Sequence, residues 1–139
     1  MSTVPLIRIA AALLIRADGQ TLLVRKRGTT AFMQPGGKIE AHEQPVHALA
    51  RELEEELGLI IDPTRATFLG QFSAPAANEP GHVVQADIFL LTLDVDVTPA
   101  AEIDEVMWID PATVGDVVLA PLTRDLILPF YRASLTAIA

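Results

Sequence analysis

The stretch "PGGKIEAHEQPVHALARELEEELGL", Pro35 to Leu59, crowds six glutamates against two basic side chains, Lys38 and Arg51. Its second half reads as one helix. Pro45 suits a first turn, where no amide hydrogen bond is lost, and Gly58 suits the position just past the end. Gln44 is a weak N-cap, which leaves the start free by a residue or two. With Glu52 set at 0° and about 100° per residue, Glu55 falls near 300° and Glu56 near 40°. Val46, Leu49, Ala50, Leu53 and Leu57 fall between about 60° and 160°, a stripe suited to a core. Glu54 points away at about 200°. Three carboxylates therefore flank the buried face. Like charges at these spacings cost about 0.2–0.5 kcal/mol per pair, which a solvated charged face tolerates. The other reading is a site for a hard divalent cation, which prefers carboxylate oxygens. Gly36 and Gly37, just upstream, offer backbone groups at close range to such an ion or to phosphate.

The rest of the chain sets the frame. Its 139 residues suit one domain, 1–139, and half of them are apolar, enough for a core. The absence of cysteine excludes a disulfide scaffold and thiolate metal sites. A net charge of −8 disfavours polymeric nucleic acid but admits a small phosphorylated molecule screened by cations. The apolar start raises the question of a signal peptide, yet Arg8 and Arg16 bracket the short run Ile9 to Ile15, and a strand fits better. No run approaches the roughly 18 apolar residues of a membrane span. A cytoplasmic protein without a membrane role is expected.

Upstream of the acidic helix, "IRIAAALLIR" and "QTLLVRKR" read as strands joined at Asp18-Gly19, and "GTTAFMQPGG" as a loop. Downstream, "ATFLGQFSA" and "HVVQADIFLLTLDV" read as strands around the loop "PAANEPG", and "EVMWID" as a shorter one. Pro111 opens a short helix. "LTRDLILPFYRASLTAI", ending at Ile138, forms a last helix that Pro129 threatens to kink. The interleaving predicts an α/β fold with a mixed sheet.

Gly37, Glu43, Arg51-Glu52-Leu53, Glu55-Glu56 and Gly58-Leu59 match every specified position of the Nudix box, G-x5-E-x7-R-E-U-x-E-E-x-G-U, where U is bulky and aliphatic. A chance match at one start point is on the order of 10⁻⁹. The chain thus resembles the Nudix hydrolases, and "PGGKIE" and "EIDEVMWID" also look like that family. The resemblance implies an α/β/α sandwich and Mg²⁺- or Mn²⁺-dependent hydrolysis of a nucleoside diphosphate linked to another group. It implies Glu52, Glu55 and Glu56 as metal ligands, helped by the Gly37 carbonyl, and Glu43 paired with Arg51 to orient the helix. The general base is Glu52 or Glu56, or a loop residue among Glu79, Glu102 and Glu105. His42 stands where the family often has glycine, and Gln44 where Ser or Thr often caps. His42 and His47 are poorly spaced for a shared metal.

For the substrate, basic residues after the second strand often touch phosphates in this family, which points to Arg25 and Arg27. Strand alternation puts Lys26 on the other face. Phe32, Met33 and Gln34 precede Pro35, where side chains line a base pocket or join the core. Asn78 offers donor and acceptor to a purine edge. Pro75, sixteen residues past Leu59, matches a spacing in ADP-ribose pyrophosphatases, though its flanks differ. The short chain favours a nucleoside triphosphate, oxidised ones included. The alternatives are ADP-ribose or a nucleotide sugar and, in another class, a non-catalytic nucleotide sensor. Trp108 reads as core. Dimers are common in the family, so a homodimer fits the resemblance.

Overall fold

The computed structural model describes residues 5–137. Ile138, the last residue of the expected final helix, lies outside them, as do Met1 to Val4 at the start of the apolar segment. Seven strands form one mixed sheet: β1 (Leu6–Ile15), β2 (Thr21–Lys26), β3 (Phe32–Met33), β4 (Gly36–Lys38), β5 (Thr67–Pro75), β6 (Val83–Thr92) and β7 (Ile103–Ile109). Two α-helices complete the fold, α1 (Pro45–Leu57) and α2 (Leu128–Ala137).

β1 is the central strand. It runs parallel to β6 along its whole length, from Leu6 opposite Val83 to Ile15 opposite Thr92. Helices cover both of its faces, which explains a nearly continuous apolar run where a half-exposed strand would alternate. Ala10, Ala12 and Leu14 pack with Leu49, Leu53 and Leu57 of α1. Ala11 and Leu13 pack on the other side with Ile127 and Tyr131. The expected hairpin at Asp18-Gly19 forms, with the Asp18 carboxylate accepting from the Gln20 amide at 3.0 Å. It is brief, however. β1 meets β2 only at Ile15 opposite Thr21, and its other half pairs with β4, from Ile9 opposite Lys38 to Ala11 opposite Gly36. This fork between β2 and β4 opens the sheet at one end.

Three readings of local structure change. The "GTTAFMQPGG" segment is not all loop, since β3 joins β2 and β4 joins β1. Pro111 opens a turn and no helix; the Asp110 carboxylate caps it by accepting from the Ala112 amide at 2.9 Å. The last helix widens into a π-type turn over Thr123–Ile127 before α2 begins. Pro129 cannot donate to a carbonyl one turn back, and a wide turn next to it absorbs that loss without a break. The Tyr131 hydroxyl then donates to the Gly19 carbonyl at 2.6 Å and ties α2 to the first hairpin.

Leu53 is fully buried between α1 and β1, whereas Ile60 is 80% exposed. Leu53→Ala is expected to lower unfolding free energy by about 2–5 kcal/mol, and Ile60→Ala by less than about 0.5 kcal/mol, in urea titrations.

Candidate functional site

α1 is set against β4 by an absence of side chains. A Cβ on Gly37 would stand 2.6 and 2.7 Å from the Glu52 carboxylate oxygens, and one on Gly36 would meet the backbone of Ala10 and Ala11. Ala48, one turn before Glu52 on the same side of the helix, is also buried. The buried arc of α1 is therefore wider than its apolar stripe and runs under two of the glutamates. Gly58 closes the helix in the left-handed conformation, φ 63°, as its position requires. His42 also adopts positive φ, 65°, in the loop before α1. That is a reason for a glycine to be frequent at this point. His42 and His47 are both exposed.

Glu56 is 2% exposed. Its Oε1 accepts from the Gly36 amide at 3.3 Å, while its buried Oε2 has no partner. Burial, then the neighbouring Glu52, push its carboxyl up to about 7. Burial also raises Glu52, against the opposing pull of Arg51. Arg51 forms a two-pronged pair with Glu43, at 2.8 and 2.9 Å, and donates to the Lys38 carbonyl at 3.1 Å and to Glu52 at 2.9 Å. The Arg51 guanidinium, then the Glu40 amide, hold Glu43 down at about 2. Glu55 is exposed and stands 3.7 Å from Arg51.

A cleft of about 610 Å³ opens beside this helix at the fork in the sheet. It shares Lys26, Gly37, Lys38, Asn78 and Glu79 with a wider opening of about 890 Å³ that reaches Glu52, Arg27 and Glu102. At its other end it shares Met33 and Gln34 with an apolar compartment of about 380 Å³ that extends to Thr123. One trough thus runs from the acidic ridge, past two lysines, to an apolar end.

The trough gathers seven of the expected residues; Glu56, Glu55 and the Glu43–Arg51 pair stand outside its lining on or before α1, and Arg25 and Glu105 lie away from it. Gly37, Glu52, Arg27, Gln34, Asn78, Glu79 and Glu102 line it. Arg25 does not. Strand alternation turns it to the other face of β2, where it donates to Asp104 at 2.7 Å, Glu105 at 2.9 Å and the Thr29 carbonyl at 2.9 Å. Arg25 is a clamp between β2 and β7, and Glu105 is held with it. Lys26 occupies the place expected of Arg25, on the same face as Val24, paired with Glu102 at 3.6 Å. Lys38, paired with Glu79 at 3.8 Å, and Thr123 were missed by sequence reasoning. The alternation of β2 pointed to Lys26. For Thr123, far along the chain, no local signal existed. Trp108 packs against the α1-side core, with the Arg16 guanidinium 4.6 Å from its ring centroid.

As placed, no three His, Asp or Glu side chains among the described residues converge on one ion position. Glu52 leans on Arg51, and Glu55 faces outward. The donor set nonetheless fits a hard cation. Glu56 Oε2 is a buried carboxyl oxygen lacking a partner, and the glycine cradle leaves backbone beside it open.

Comparison with known proteins identifies the family. A relative from Methanocaldococcus jannaschii, an ADP-ribose pyrophosphatase, is 35% identical over 81 residues, 56% of this chain and 46% of that protein. An 8-oxo-dGTP diphosphatase from Haemophilus influenzae is 41% identical over 59 residues, 40% of this chain and 43% of that protein. The chain thus spans less than half the length of either relative. The crystal structure of a MutT protein from Methanosarcina mazei Go1 has the same fold, with a TM-score of 0.79 at 22% identity, covering 97% of this chain and 99% of that one. The family model of the NUDIX domain matches residues 5–131, from the first described residue into α2. On that match, which contains the whole acidic helix and its glycine loop, the chain belongs to the Nudix family.

Proposed function

We propose that this chain hydrolyses the phosphoric anhydride of a nucleoside diphosphate linked to another group, with Mg²⁺ or Mn²⁺. The observation that carries the reading is Glu56: a buried carboxylate with one oxygen unpartnered, beside a glycine cradle and Glu52. Among the described residues no helix is long and apolar enough to cross a membrane. A small nucleotide, met in the cytoplasm, is the proposed substrate class. A nucleoside triphosphate, oxidised forms included, is the first choice. ADP-ribose is the second, favoured by the name of the M. jannaschii relative. A panel of canonical and oxidised nucleoside triphosphates and ADP-ribose, each with Mg²⁺ and Mn²⁺, separates the two.

The residues divide the work. Glu52, Glu55, Glu56 and the Gly37 carbonyl would hold the cation. When bound, such an ion offsets phosphate charge and acidifies a water molecule. Lys26 and Lys38, together with Arg27, lie along the trough where phosphate oxygens would pass. The Glu43–Arg51 pair fixes the loop by holding the Lys38 carbonyl, and it positions Glu52. The attacking water gives its proton to a carboxylate on or beside the trough. Glu52 and Glu56 on the helix and Glu79 and Glu102 on the loops qualify by position. Glu105, clamped by Arg25, does not.

Glu56→Gln is expected to reduce Mg²⁺-dependent turnover by more than about 100-fold with the fold intact, read as phosphate or pyrophosphate release. Parent-like rates would remove Glu56 from the mechanism. The raised carboxyl also makes a prediction without turnover. Its folded pKa lies above its unfolded value, so the folded state holds the proton more tightly. The stability this gives is complete below pH ~4.5 and is lost as pH rises to about 7. In chelator, unfolding free energy is expected to fall by up to about 3 kcal/mol across that window. Glu56→Gln should flatten this fall, and Mn²⁺ should restabilise the parent at pH 8 but not the variant.

Arg51→Lys keeps the charge but loses the planar fork. The Mg²⁺ concentration for half-maximal activity is expected to rise about 10–100-fold, with circular dichroism unchanged. An unaltered metal dependence would mean that Arg51 does not position the ligands.

A further inference from the structure

At the apolar end of the trough, Gln34 lines both the central cleft and the inner compartment. It is 5% exposed. Its Oε1 accepts from the Thr123 hydroxyl at 2.8 Å, and Thr123 is fully buried at the start of the π-type turn. With its oxygen engaged, the amide can only donate from its remaining end. That Nε2 is buried and has no acceptor in the structure. A buried N–H left unpaired is a costly defect, and one in the wall of a cleft is relieved by an acceptor on an occupant.

The surroundings limit what the occupant can be. Ile9, Met33, Val84 and Leu122 form apolar walls, and among the described residues Gln34 and Thr123 are the only polar side chains lining the inner compartment. A phosphate would lose its water there without meeting a cation. A ribose would bury several hydroxyls for one partner. A flat base suits apolar walls and a single edge contact. Resting on the reading of the trough as the substrate site, we infer that Gln34, oriented by Thr123, reads a carbonyl oxygen on the substrate's base and selects oxo-bearing over amino-bearing bases. An amino group at the same ring position would set donor against donor and leave both unpaired.

The test uses pairs that differ in this one group: ITP against ATP, and UTP against CTP, each with Mg²⁺. The parent is expected to prefer the oxo member of at least one pair by about tenfold or more in kcat/KM. Gln34→Met, close in size and without a donor, should bring that ratio within about threefold of unity. Gln34→Glu, an acceptor, should favour the amino member. Thr123→Val frees the amide to turn over and should shrink the ratio, with KM for the oxo member rising toward that of the amino member. It also serves as the second variant if Gln34→Met fails to fold. A parent that treats the pairs alike, prefers amino bases, or keeps its ratio in both Gln34→Met and Thr123→Val overturns the inference while leaving the hydrolase reading intact. If no nucleotide is hydrolysed, the hydrolase reading fails by itself, and calorimetry with IMP and AMP decides this one. Tighter IMP binding that is lost in Gln34→Met sustains it; equal or absent binding overturns it.

Discussion

The close approach of α1 to the backbone of β4 is the constraint from which the site follows. Any side chain at residue 36 would strike β1, and any at residue 37 would strike the Glu52 carboxylate. The alanines of β1, Ala10 and Ala12, keep the helix-facing side of the central strand shallow. Small residues on two strands therefore act together, letting a helix with glutamates on its inner flank sit where leucines alone would be expected. Glu56 is buried as a consequence of packing, and its unusual proton affinity is a consequence of that burial.

Charge in the loop and helix is sorted by environment. Glu43 and Arg51 hold each other charged near the surface, and Glu43 is driven down to about 2. A partly exposed pair of this kind adds little to global stability. Its value is geometric, because the same guanidinium reaches the Lys38 carbonyl and Glu52. Glu56, thirteen residues from Glu43, has no cationic side chain within bonding distance among the described residues and moves the opposite way. One end of the motif is permanently ionised and fixed, and the other is a carboxylate whose ionisation is unfavourable until a cation offsets it. This contrast answers how a helix tolerates so many like charges: they do not all have to be ionised at once.

Much of this was legible in the chain because it is local. Pro45 and Gly58 marked the helix ends, and the 3.6-residue period placed Glu52 and Glu56 beside the core. Strands β1, β2, β5, β6 and β7 followed from apolar runs between turn residues. What escaped was set by long-range pairing. The division of β1 between β2 and β4 depends on which strand meets it, information no single segment holds. The choice of Lys26 over Arg25 was available from alternation, but it required knowing which face of β2 borders the cleft. The Gln34–Thr123 contact joins residues 89 apart, and neither flank announces it. The helix expected at Pro111 is only a turn, although the Asp110 side chain accepts from the Ala112 amide as a helix cap would.

The fork in the sheet also resolves an apparent conflict between an acidic protein and an anionic ligand. At physiological ionic strength charges separated by more than about 8 Å are largely screened, so the net charge of −8 acts weakly at a distance. What a ligand meets inside the trough is local, and Lys26, Arg27 and Lys38 are brought there by β2, β4 and the turn that follows β2. The same fork exposes the apolar side chains of β1 and β6 at the inner end. A molecule that satisfies the whole trough must therefore change character along its length, anionic beside the lysines and flat and apolar beyond them. An anion alone leaves the inner walls wet, and a base alone leaves the cations unpaired. Under the proposed function, the spacing of strands, more than any single residue, suits a ligand with both parts joined.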